Sequence, residues 1–108
     1  MLRQSSPSLT VDENAIVLSD HSLSQHRRAI SDIVEIAAYK RDEVVTDLIC
    51  FELRMADGSF WTLHEEIAGF DDVVAAFERL PGFFVGWREK LVLPPFDRNW
   101  MVVWGKPG

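Results

Sequence analysis

Residues 47–80 constrain the fold of this chain more than any other stretch, because they place a β-hairpin directly before an amphipathic helix. Two apolar runs, from Asp47 to Met55 and from Phe60 to Glu65, flank the dipeptide Asp57-Gly58. That dipeptide favours a type I′ turn, whose two central residues both need positive φ. A two-residue loop then sets Met55 opposite Phe60, Leu53 opposite Thr62 and Phe51 opposite His64. Side chains alternate along a strand, so Ile49, Phe51, Leu53 and Met55 form a core face. Cys50, Glu52 and Arg54 share the other face with Trp61 and Leu63, and Arg54 is placed to stack on Trp61 as a cation–π pair.

The helix is expected over 70–80. Phe70, Val73, Val74, Phe77 and Leu80 recur at the spacing of a buried stripe. Asp71 and Asp72 fall in the first turn, where they complement the positive end of the helix dipole. Pro81-Gly82 ends the element, since proline cannot continue the hydrogen-bond ladder and glycine suits the turn.

The flanking segments supply further strands. Residues 15–18 are short and apolar, and the β-branched run 30–39 favours a strand, with 40–43 as the loop of a meander into Val44. Residues 20–28 are polar and read as a loop. The segment 99–104 reads as a final strand, its alternation grouping Trp100, Val102 and Trp104 on one face. Residues 83–93 leave helix and strand both open, with a second helix near 83–91 as one option. The outcome is a single α+β domain over 11–106, a mostly antiparallel sheet of about four to six strands packed by the helix. Residues 1–10, rich in serine, read as a flexible tail. At 108 residues, such a domain buries roughly two thirds of its unfolded surface.

Composition limits the compartment and the partners. The single cysteine, Cys50, permits no internal disulfide. No signal-peptide-like core opens the chain, and no run approaches the roughly 20 apolar residues of a membrane span, so a cytoplasmic protein without membrane contact is expected. Eleven basic against seventeen acidic side chains give a formal charge of −6. That balance opposes nucleic-acid binding, which needs basic side chains to neutralise phosphates. It suits a basic protein partner, which such a field would steer in. The pairs Arg27-Arg28 and Lys40-Arg41 are short, flanked by acids, and read as solvated surface.

An Ile-rich strand ending in Tyr39-Lys40, then Asp47-Leu-Ile-Cys50, Glu65-Glu66 and Gly69-Phe70 ahead of a short helix, resembles small uncharacterised bacterial proteins of the PH-like and toxin-immunity kinds. The resemblance covers residues 30–80 and implies a protein that neutralises or regulates another protein. No functional residue is carried over from it.

The inventory of reactive groups is thin. His64 and Glu66 share a strand face, and His21 and His26 lie in one polar segment, yet no zinc-protease signature or cysteine cluster accompanies them. No metal and no cofactor are expected. Cys50 and His64 would make a nucleophile and base, but the register above sets them on opposite faces of the sheet, leaving a buried structural cysteine. The carboxylate pairs Asp42-Glu43, Glu65-Glu66 and Asp71-Asp72 are adjacent in sequence, and adjacent residues do not share a face. The glycines form no phosphate-binding loop, and no elbow motif presents Ser19, Ser22, Ser24 or Ser31 as a nucleophile. The aromatics are plentiful: Trp61, Trp87 and Trp104 either build core or stay exposed as interface anchors.

Three readings of function follow. The first is a non-catalytic protein-binding module, of immunity or regulatory type, that engages a basic partner through Arg54, Trp61, Glu65, Glu66, Asp71 and Asp72. The second is a self-associating structural domain whose apolar sheet face makes a homodimer. The third is a small enzyme or ligand carrier with a pocket of C-terminal aromatics and His64 as its polar group.

Overall fold

The structure, a computed structural model, describes residues 7–19, 25–42, 47–92 and 100–106. Strands β1 (Ser8–Asp12), β2 (Ala15–Ser19) and β3 (Gln25–Ala29) form an antiparallel sheet in that order. A 3₁₀ turn at Ile30–Asp32 leads into β4 (Ile33–Asp42), β5 (Asp47–Met55) and β6 (Phe60–His64). Two helices, α1 (Phe70–Glu78) and α2 (Trp87–Val92), precede β7 (Trp100–Gly105), which returns to pair with β4. The second sheet is antiparallel in the order β6-β5-β4-β7. The chain therefore has the α+β class expected, with its strands divided between two sheets.

Strand structure reaches further than the polar segments suggested. The expected tail over 1–10 gives way at Ser8 to β1, where Leu9 is buried in the core. The expected loop over 20–28 contains β3, an exposed edge strand whose Arg27 pairs with Asp12 at 3.0 Å. The expected meander loop at 40–43 does not form as such: Lys40, Arg41 and Asp42 continue β4, and residues 20–24 and 43–46 lie outside the described residues.

The hairpin forms, but its loop is one residue longer than Asp57-Gly58 implied. Gly58 has φ +89° while Asp57 stays at negative φ, so the turn is not type I′. The Asp57 carboxylate accepts bonds from the Ser59 N–H (2.9 Å) and hydroxyl (2.6 Å), a local closure that needs no left-handed backbone at Asp57 itself. Met55 N–H donates to the Ser59 carbonyl, and Gly58 N–H to that of Met55, which encloses a three-residue loop with a left-handed glycine at its end. The register moves by one residue: Phe51 opposes Leu63, Leu53 opposes Trp61, and Cys50 opposes His64. Trp61 and Leu63 thereby join the core face, and the expected grouping of them with Cys50 is wrong.

A second shift affects β7. Pairing with β4 skips a residue between Ile36 and Ala37, a β-bulge that sets Trp104 opposite Ile36 and Val102 opposite Ala37. Trp104 turns into the core while Trp100 and Val102 stay outside, so the three do not share a face.

Phe51, fully buried, sits at the centre of the core with its ring 5.5 Å from Phe70, 5.8 Å from Phe77 and 4.9 Å from Trp87. Burying a side chain of this size contributes roughly 2 to 3 kcal/mol relative to leaving it exposed. The α1 stripe is the one expected: Phe70, Val73, Val74 and Phe77 are buried and Leu80 partly so. Gly82, at φ +85°, turns the chain after Pro81, and the Trp87 indole N–H donates to Glu78 across the two helices at 3.0 Å. Strand β1 also meets the segment between β6 and α1, where Leu9 N–H donates to the Ala68 carbonyl at 2.6 Å. Among the described residues, no helix is long and apolar enough to cross a membrane.

Candidate interaction site

Between β6 and α1 the chain reverses in a tight segment. Ile67 N–H bonds the His64 carbonyl (3.0 Å), Phe70 N–H bonds that of Ile67 (3.1 Å), and Gly69 enters the helix at φ +89°. This reversal brings Glu65-Glu66 and Asp71-Asp72 to one cleft of about 320 Å³, which the four residues line together with Ile67, Ala68, Gly69 and Phe70 between them. Glu65 is held twice to the start of β5: its N–H donates to the Ile49 carbonyl at 3.0 Å, and its Oε1 accepts the Ile49 N–H at 2.9 Å. Glu66, Asp71 and Asp72 are exposed on the rim. Among the described residues, no lysine, arginine or histidine stands within ion-pair distance of any of the four.

The other two expected binding residues lie elsewhere. Arg54 is on the outer face of the four-stranded sheet and pairs with Glu35 at 3.6 Å. Trp61 is on the core face, so the expected Arg54–Trp61 stack does not form. The guanidinium over the Trp61 ring is that of Arg28, from β3, at 5.3 Å. Trp61 also precedes Glu65 by four residues, or about 13 Å along the strand. The acidic quartet is thus one cluster, with Arg54 and Trp61 outside it.

The corrected register also reunites a pair that the shorter loop had separated. Tyr39, Cys50 and His64 lie side by side across β4, β5 and β6 on the outer face. Burial raises the Tyr39 phenol above its ordinary value, and the adjacent Cys50 sulfur adds to the shift. Cys50 remains the buried cysteine expected: it is closed to solvent, and its thiol points to the Leu48 carbonyl at 3.7 Å. The Nδ1 atom of His64 accepts the Glu66 N–H at 3.3 Å. A thiol without solvent access is poorly placed to meet a substrate. Among the described residues, no three histidine, cysteine, aspartate or glutamate side chains gather at metal-binding distances. His21 lies outside those residues.

An apolar cleft of about 400 Å³ opens between the sheets, walled by Ile30, Ile33, Leu80 and Trp104 with Lys106 at its rim. Among the described residues, His64 does not line this cleft. Trp87 and Trp104 are core side chains at 0% and 8% exposure, while Phe60 and Trp100 stand out at 57% and 54%. Of the three tryptophans that the sequence left open between core and interface anchor, Trp87 and Trp104 build core and Trp61 is partly buried against it. Compared with protein-family models, with curated proteins and with solved structures, the chain matches none.

Proposed function

We propose that this chain is a non-catalytic protein-binding module, of immunity or regulatory type, that engages a basic partner at the acidic cleft between β6 and α1. The carrying observation is the convergence of Glu65, Glu66, Asp71 and Asp72 around one cleft with no cation of the described residues paired to them. A net charge of −6 draws a basic surface toward the molecule at long range, and the quartet gives it a place to dock. Glu65 is already ordered by its bonds to Ile49, so less side-chain freedom is lost when it pairs. The resemblance to toxin-immunity proteins favours the same reading, and a single cysteine, with no second one in the chain to pair with, suits a reducing compartment such as the cytoplasm.

Affinity purification of the tagged chain from its native cells, at moderate salt, tests the proposal. A stoichiometric basic protein should co-elute and be lost as salt rises. Reversing all four charges (Glu65→Lys, Glu66→Lys, Asp71→Lys, Asp72→Lys) should weaken its binding by about tenfold or more. Unchanged affinity in that variant would remove the cleft as the docking site.

A further inference from the structure

The apolar cleft of about 400 Å³ beside Trp104 is assembled from parts of the chain that lie far apart in sequence. Ile30 and Ser31 come from the 3₁₀ turn, Ile33 from β4, Leu80 from just after α1, and Trp104 from β7. Hydrogen bonds hold these parts in place. The Trp104 indole N–H donates to the Pro81 carbonyl at 2.9 Å, which fixes the ring against the turn after α1. Ile30 N–H donates to the carbonyl of Asn14, also on the cleft, at 2.7 Å, tying the 3₁₀ turn to the β1–β2 turn. A preformed, concave and mostly apolar site with a few polar groups is the usual form of a small-molecule pocket, and this volume falls near the lower end of their range.

Lys106 supplies the charged group. Its backbone N–H donates to the Val34 carbonyl at 2.9 Å and its ammonium to the Ser31 carbonyl at 2.7 Å, so both ends of the residue are held at the rim. An ammonium has three donors, and the Ser31 bond uses one of them. Among the described residues, no carboxylate pairs with this ammonium. A cation at the mouth of an apolar cleft suits a ligand with an apolar body and an anionic end. The net charge of −6 opposes a polyanion at long range, which narrows that end to a single charge. Volume narrows the body. At about 30 Å³ per water molecule the cleft holds about thirteen waters, the space of a ligand with about a dozen non-hydrogen atoms.

We propose that this cleft binds a small apolar monocarboxylate, its hydrocarbon body against Ile30, Ile33, Leu80 and Trp104 and its carboxylate on the Lys106 ammonium. Removing the hydrocarbon from water drives the binding, and the charge-assisted hydrogen bond selects the acid. No residue lines both this cleft and the acidic one, so ligand binding here and partner docking between β6 and α1 are separate properties.

NMR titration of the full chain with hydrocinnamate tests this, with the uncharged hydrocinnamamide as its match in shape. Hydrocinnamate should shift the Trp104 indole N–H resonance with a dissociation constant below about 1 mM. The amide should bind about tenfold more weakly, having lost the bond to a charged group. Lys106→Met keeps the length of the side chain without its charge and should lose the preference for the acid, whereas Lys106→Arg should retain it. Lys90→Met, at an exposed cation outside the cleft, should bind like the native chain. Lys106 is exposed as well, so each variant should keep the native melting profile. A Trp104 resonance that does not move up to about 1 mM hydrocinnamate, equal binding of acid and amide by the native chain, or a Lys106→Met chain that still prefers the acid would overturn the proposal.

Discussion

At Gly69 the backbone sits at φ +89°, and a methyl group there would overlap the carbonyl of Leu9 on β1. Gly58 has the same φ but open space around its Cα. The two glycines therefore separate backbone strain from steric collision. Gly58→Ala should cost about 1 kcal/mol, the strain alone. Gly69→Ala should cost on the order of 3 kcal/mol, because the strand beside it must also move. Thermal unfolding checks the difference, at about 4 to 8 °C per kcal/mol for a domain near this size; equal losses would show that β1 yields freely. A second residue reports on pH. Tyr39 is the chain's one tyrosine, so phenolate absorbance reads it without interference from another. Burial, then Cys50, raises its pKa above 10.0 in the fold. The proton is held more tightly in the native state, so the stability gained is complete below 10.0 and is lost as pH rises through the raised value. The native titration midpoint should exceed the midpoint in denaturant, and Tyr39→Phe should flatten the alkaline loss of stability. Coincident midpoints would contradict the burial of this phenol.

The β5–β6 hairpin shows how far its own sequence reaches. Its existence, its strand limits and the core face of β5 were all legible, because alternation and Asp57-Gly58 report them directly. Loop length was not. Asp57 closes onto Ser59 with ordinary φ, and one added residue sends Trp61 and Leu63 inward and His64 outward. The same one-residue sensitivity acts in β7, where a bulge buries Trp104 and exposes Trp100. Bulges depend on the partner strand, so no local pattern announces them. The acidic residues could be read from sequence, whereas their convergence depends on the reversal over 65–69. Trp61 changes face for the reason of register alone, while Arg54 keeps the face it was expected to share with Cys50 and Glu52. Deleting Ala56 would shorten the loop to Asp57-Gly58 with Met55 still opposite Ser59, so Phe51 would keep Leu63 as its partner and Leu63 its place in the core. The cost should be about 1 kcal/mol, that of a left-handed backbone at Asp57, read by thermal unfolding. Loss of cooperative unfolding in this variant would mean that the three-residue loop itself sets the register.

The molecule as a whole gathers four acidic residues at the head of α1, with no cation of the described residues paired to them. The bond from Leu9 to Ala68 has a consequence for the order of folding. It joins residues some sixty positions apart, while the β1–β2 hairpin is local and closes a short loop. Local contacts form fast, and contacts across long loops wait for the entropy of closure to be offset. The β1–β2 hairpin should thus form before it docks. In native-state hydrogen exchange the Leu9 amide, whose acceptor is the Ala68 carbonyl, opens when the hairpin undocks, whether or not the strands within it separate. That amide times the docking of the first sheet onto the segment ahead of α1.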